Sequence, residues 1–163
     1  MTPKECLNCL MDYWNYAQSI AIMANIEAES DYHEDALGDK NSKGEFTSYG
    51  LCQWHGSRWE RLKKYAGTDG AIDPDVQVGF IVYEMEKWYP KTWKIFQEIG
   101  NDKAGAERAA YYFCYNYEVP ANRQSKSEKR SIRAGELYEQ FENKMSAEEL
   151  ICKIEEIIKQ WKK

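Results

Sequence analysis

Asn25-Ile-Glu-Ala-Glu-Ser30 ends an apolar run on two carboxylates, and Tyr49-Gly-Leu-Cys-Gln-Trp54 follows after a polar loop. On a helix Ile22, Ile26 and Glu29 fall at i, i+4 and i+7, so one face carries Glu29 to the margin of a core. Poor hydration favours the neutral form of a carboxyl, and a carboxyl still protonated near neutrality is what general acid catalysis needs. The competing reading of Glu29 is a surface acid at a frayed helix end. Glu27 lies roughly opposite and is expected to face solvent. Gly50 before Leu51 and Gln53 suggests a tight backbone approach followed by an amide that can read hydroxyl and N-acetyl groups of a sugar. Trp54, Trp59 and several tyrosines suit stacking on sugar rings, or equally a packed core.

The elements that must hold these groups are mostly helical. Thr2-Pro3-Lys4-Glu5 reads as a capping box with proline at the first helical position, opening a helix to about residue 16. A second helix is expected over about 18–28, then loop or a short hairpin over 31–47. Ser57-x-x-Glu60 and Asp73-Pro74 mark two further starts, with stops near Gly67 and before Pro90. Helices over 91–99 and 104–117 follow, then a polar stretch over 121–129 and another helix to about 144. Ser146-Ala-Glu-Glu149 reads as a third capping box, opening a C-terminal helix with Leu150, Ile151, Ile154, Ile157, Ile158 and Trp161 on one stripe. The expected division is a catalytic domain over 1–145 and an amphipathic helix over 146–163, packed on it or leading to a partner.

The chain has 163 residues, 43% hydrophobic and 14% aromatic, enough for one domain with a real core. A net charge of −5 disfavours duplex nucleic acid and anionic lipid as partners. No stretch has the length of a membrane span, and the N-terminus lacks the apolar core of a secretory signal. Five scattered cysteines, Cys6, Cys9, Cys52, Cys114 and Cys152, argue for reduced thiols packed on helices rather than a disulfide framework. Cys6-x-x-Cys9 has no second pair, and His33 and His55 sit in unrelated contexts, so neither metal nor cofactor is expected.

The blocks Ala24-Asn25 to Glu29-Ser30, Gly50 to Arg58, Asp75-Val76-Gln77 and Tyr117-Glu118-Val119-Pro120, in that order, resemble the phage tail lysozyme family within the lysozyme and lytic transglycosylase superfamily. The resemblance spans roughly residues 15–140. It implies a mainly α, lysozyme-like α+β fold: a helical bundle, a small polar lobe with a β-hairpin, and a cleft between them. It implies Glu29 as the acid, Ser30 holding the helix end, and Ser48, Tyr49, Gly50, Gln53 and Trp54 lining the cleft. Tyr115, Tyr117 and Glu118 would form the opposite wall, Glu118 acting in binding or catalysis or serving as a structural acid paired with an arginine such as Arg58 or Arg123. The implied substrate is the β-1,4 bond from N-acetylmuramic acid to N-acetylglucosamine in peptidoglycan glycan strands. The implied setting is a virion tail, or action on the wall after export or lysis. Tail or secretion-assembly proteins are the expected partners of what is otherwise a monomer.

Glycoside hydrolysis ordinarily uses two carboxylates, about 5 Å apart for retention and about 6.5–9.5 Å for inversion. Ser48 stands where animal lysozymes carry the second one. Asp39 or Glu45 could hold a water, Glu118 could act across the cleft, or the substrate's own 6-hydroxyl could attack to leave a 1,6-anhydro end. Hydrolase and lytic transglycosylase therefore remain level, and a non-catalytic glycan-binding module is the reading from another class. The basic stretch of Arg123, Lys126, Lys129, Arg130 and Arg133 reads as a solvated helix start, or as a contact for anionic wall polymers.

Overall fold

A computed structural model describes the backbone of residues 1–161, and side chains through residue 144 together with Ile151. Among the described residues, seven α-helices, one π-helical turn and a small three-stranded sheet follow one another. Helix α1 (Pro3–Met11) is opened by Thr2 and Glu5 in the reciprocal cap that the sequence predicts. It stops earlier than expected. Asn15 and Gln18 form a second capping box that opens α2 (Tyr16–Ser30), a signal the sequence reading passed over.

Helix α2 is the axis of the molecule. Every residue from Ala17 to Ile26 is buried, so the helix is enclosed on all sides rather than amphipathic, as a central helix is. It packs against α6 (Lys103–Phe113) and α7 (Arg123–Trp161). Close approach to α6 rests on small residues, Ala17, Ala21 and Ala24 facing a helix that buries Ala106, Ala109 and Ala110. Buried Asn25 donates its amide to Ala21 O and to Ala110 O of α6, tying the two helices by a polar bond inside the core.

The polar loop after α2 becomes the antiparallel sheet β1 (Leu37–Lys40), β2 (Phe46–Tyr49), β3 (Trp54–His55), in that order. Ser48 pairs with Gly38 on one side and His55 on the other. Helix α3 (Ser57–Ala66) has Gly56, with φ of 53°, at its cap, so the Ser57–Glu60 capping box is not made; Ser57 is already inside the helix. Helix α4 (Pro74–Trp88) starts on Asp73-Pro74 as predicted, and α5 (Pro90–Gln97) follows.

Two expectations are corrected at the C-terminal side. The stretch after α6 is not plain α-helix: Cys114–Glu118 forms one π-helical turn, closed by Val119 in the left-handed region with φ of 51°. The polar stretch is already helix from Arg123 onward, and α7 runs unbroken through Ser146 to Trp161, so no separate helix opens at the third capping box. The apolar stripe expected over 150–161 lies outside the described side chains, apart from Ile151, which is exposed. Cys6, Cys52 and Cys114 are buried free thiols and Cys9 a half-buried one; Cys152 lies outside the described side chains. Among the described residues, no helix is long and apolar enough to cross a membrane.

Candidate active site

The last turn of α2 delivers both glutamates to α7. Arg130 Nη2 donates to Glu29 Oε1 at 3.1 Å, and the Glu29 side chain keeps 22% of its exposure. One turn along α7, Arg133 holds Glu27 with two bonds of 2.6 and 2.8 Å. Glu27 is therefore half-buried and paired rather than solvent-facing, and neither arginine belongs to a solvated stretch. Ser30 Oγ bonds back to Ile26 O at 3.2 Å, and Asp31 and Tyr32, both at positive φ, end the helix directly behind the acid.

Glu118 stands on the π-helical turn with its side chain 5% exposed and 3.9 Å from Arg58. Its Oε1 has no hydrogen-bond partner among the described residues. Burial pushes this carboxyl up to about 8 against the opposing charge of Arg58, and the negative charge of Glu29 adds to the rise. The Cys52 thiol lies against the same carboxyl and is itself pushed well up by burial. A π-turn followed by a left-handed β-branched residue before Pro120 is a costly backbone, worth roughly 1–3 kcal/mol of stored strain, of the kind concentrated at functional sites.

Behind Glu118 lies a network that sequence reasoning missed. Glu84 on α4 is fully buried and accepts from Trp54 Nε1 at 3.1 Å, Tyr117 Oη at 2.8 Å, Arg58 Nη2 at 2.8 Å and Arg61 Nη2 at 3.1 Å. Burial alone would raise this carboxyl; the Arg58 guanidinium, with Tyr117 and Arg61, outweighs it and holds Glu84 below the usual carboxylate range. The available signal was an acid set between Ile81 and Met85 on an apolar helix. Arg58 also lies over the Tyr117 ring at 4.4 Å. Trp54 and Tyr117 are wholly buried here, so neither presents a ring face to a sugar.

The Gly-Leu-x-Gln turn is built as a clamp. Gly50 has φ of 78°, and a Cβ there would stand 2.4 Å from Gln77 Oε1. That oxygen accepts from Leu51 N at 2.9 Å, while the Gln77 amide donates to Glu34 O and Ile72 O. Gln53 does the same from inside the turn: its amide donates to Ala36 O and Gly50 O, and its oxygen accepts from Ser48 Oγ at 2.8 Å. The Gln53 amide is thus occupied within the protein. Ser48 is buried, and Tyr49, 8% exposed, stacks on Trp59 and accepts from Ile72 N.

Glu29 is within electrostatic reach of Glu118 and Cys52, Arg58 lies 3.9 Å from Glu118, and Cys52 belongs to the turn that Gly50 and Gln53 hold. Tyr115 has its ring stacked on Tyr111 and covered by Arg123 at 4.3 Å. Asp39 and Glu45 sit on the exposed β-hairpin, where Glu45 accepts from the Asn41 amide. A family model described as phage tail lysozyme matches residues 7–141. Among curated proteins no relative matches the chain.

Proposed function

The chain belongs to the phage tail lysozyme family, whose members degrade the bacterial cell wall, and on that premise we propose that it is a muramidase in which Glu29 is the general acid for the β-1,4 bond between N-acetylmuramic acid and N-acetylglucosamine. The observation that carries this reading is the placement of a part-exposed Glu29 at the end of α2, held by Arg130 and set beside the buried carboxyl of Glu118, which burial keeps protonated more readily than an ordinary carboxyl. Glu29 is the member that can reach a glycosidic oxygen. Glu118, enclosed behind Cys52 and Arg58, keeps the site from gathering a second negative charge when Glu29 gives up its proton. Arg130 then stabilises the Glu29 carboxylate left behind.

One observation favours lytic transglycosylation as the second reading. Ser48, at the place of a second carboxylate, is buried and spends its hydroxyl on Gln53, so it activates no water. With the 6-hydroxyl of the substrate as nucleophile, Glu29 would act first as acid and then as base. Digestion of purified Gram-positive walls followed by mass spectrometry of the muropeptides separates the two: reducing ends mark hydrolysis and anhydro ends transglycosylation. Equal wall clearing by the native protein and Glu29→Gln would remove Glu29 from the mechanism. Wall binding without clearing by either would leave a glycan-binding module. Action within a virion tail, docked on tail proteins, is the setting that the family suggests.

A further inference from the structure

We propose that Arg123, Gln124 and Glu128, mounted on Tyr115, form a subsite for the stem peptide of peptidoglycan, Arg123 taking a peptide carboxylate and Glu128 a peptide ammonium. This rests on the reading of peptidoglycan as substrate. A shallow concavity of about 640 Å³ opens here beside the start of α7. Its chemistry is of both signs. The Arg123 guanidinium lies 4.3 Å over the Tyr115 ring and makes no ion pair among the described residues, so its donors remain available. The Tyr111 hydroxyl donates to Gln124 Oε1 at 2.7 Å, and the Gln124 amide donates to Glu128 Oε1 at 2.7 Å. That chain fixes Glu128 and leaves its second oxygen to accept.

The aromatic surface does not suit a sugar. Tyr115 is stacked on Tyr111, with ring centroids 5.7 Å apart and an interplanar angle of 10°, and is covered by Arg123 as well. The ring serves as the platform for the cation instead. A paired cation and anion fit a zwitterionic peptide, and an acidic chain with one such pair does not suit nucleic acid.

Position supports the assignment. Arg123 and Arg130 are seven residues apart on α7, hence on one face and about 10 Å apart along the axis. Arg130 touches Glu29. Three residues of extended peptide also span about 10 Å. A stem peptide hanging from the muramic acid at the bond cleaved by Glu29 therefore reaches Arg123.

The test compares intact wall glycan with the same glycan stripped of peptide by an amidase, following kcat and KM by release of new chain ends. Arg123→Ala and Glu128→Gln are exposed changes that leave the fold intact by circular dichroism. Each is expected to raise KM on peptide-bearing glycan on the order of tenfold, the worth of one charge-assisted hydrogen bond, with kcat unchanged. On stripped glycan both variants should match the native protein, and Arg123→Lys should recover part of the loss. Equal losses on both substrates, or no change on either, overturn the subsite while leaving the peptidoglycan reading in place. A native protein inactive on both glycans overturns that reading and the subsite with it.

Discussion

Arg130 Nη2 lies 3.1 Å from Glu29 Oε1 and joins the N-terminal part of α7 to the last turn of α2, across 101 residues of sequence. With Arg133 on Glu27 it makes α7 the element that holds the glutamate-bearing helix end. Replacing the acid while keeping its shape isolates the proton. Glu29→Gln should reduce wall lysis by roughly 10²–10⁴-fold, the usual worth of a general acid, with a thermal midpoint within a few degrees of native. Turbidity loss and a melting curve on the same preparation check both halves.

Arg130→Met removes the cation but keeps much of the packing. In the proposed mechanism Glu29 then loses its orienting partner and the charge that steadies its carboxylate after proton transfer. The expected result is a fall in kcat of about tenfold with KM near native, read from steady-state release of chain ends. A change confined to the melting temperature would reduce Arg130 to a structural tie.

Glu84 receives hydrogen bonds from four side chains in the core. Glu84→Ala leaves two guanidinium groups facing a buried void without their anion, and breaking one partner of such a pair costs about 3–5 kcal/mol. Denaturant unfolding should show a loss of that order. The double variant with Arg58→Met should cost less than the two single losses combined, because each removes the other's unpaired charge.

Glu118 sets a pH dependence whose sign is opposite to that of a paired surface acid. The folded protein holds this proton up to about pH 8, whereas the unfolded chain releases it above its ordinary value of 4.5. Between those limits the folded state binds the extra proton, so stability falls as pH rises through the window, by up to roughly 5 kcal/mol. Glu118→Gln abolishes the titration. Melting midpoints measured from pH 5 to pH 9 should decline in the native protein and stay flatter in the variant; parallel curves would refute the assignment.

Gly50→Ala tests the clamp. The backbone sits at φ of 78°, and the added methyl meets the Gln77 amide oxygen that caps Leu51 N. Strain and the broken bond together should cost on the order of 2 kcal/mol, read as a lower denaturant midpoint.

Much of the frame was legible before any coordinates. The Thr2 cap, the Asp73-Pro74 start, the helix ending on Glu29 and the hairpin in the polar loop all follow from local chemistry: capping oxygens, proline geometry and apolar spacing act within a few residues. The misreadings share one cause. Gly56 displaces the Ser57 cap, a π-turn interrupts the helix before Pro120, and α7 continues through a serine that resembles a cap. In each case a cap or helix preference worth about 1 kcal/mol is too weak to fix where a helix starts or stops.

The amino-acid order by itself settled the family, the mainly helical class and the helix end that carries Glu29, because periodicity and motif spacing are properties of contiguous residues. Only the folded chain decided which charges meet. Arg130 on Glu29, Arg58 and Arg61 on Glu84, and the dry enclosure of Glu118 each join residues 23 or more positions apart. Burial and Coulomb energy depend on distances through space, and nothing in the spacing along the chain encodes them.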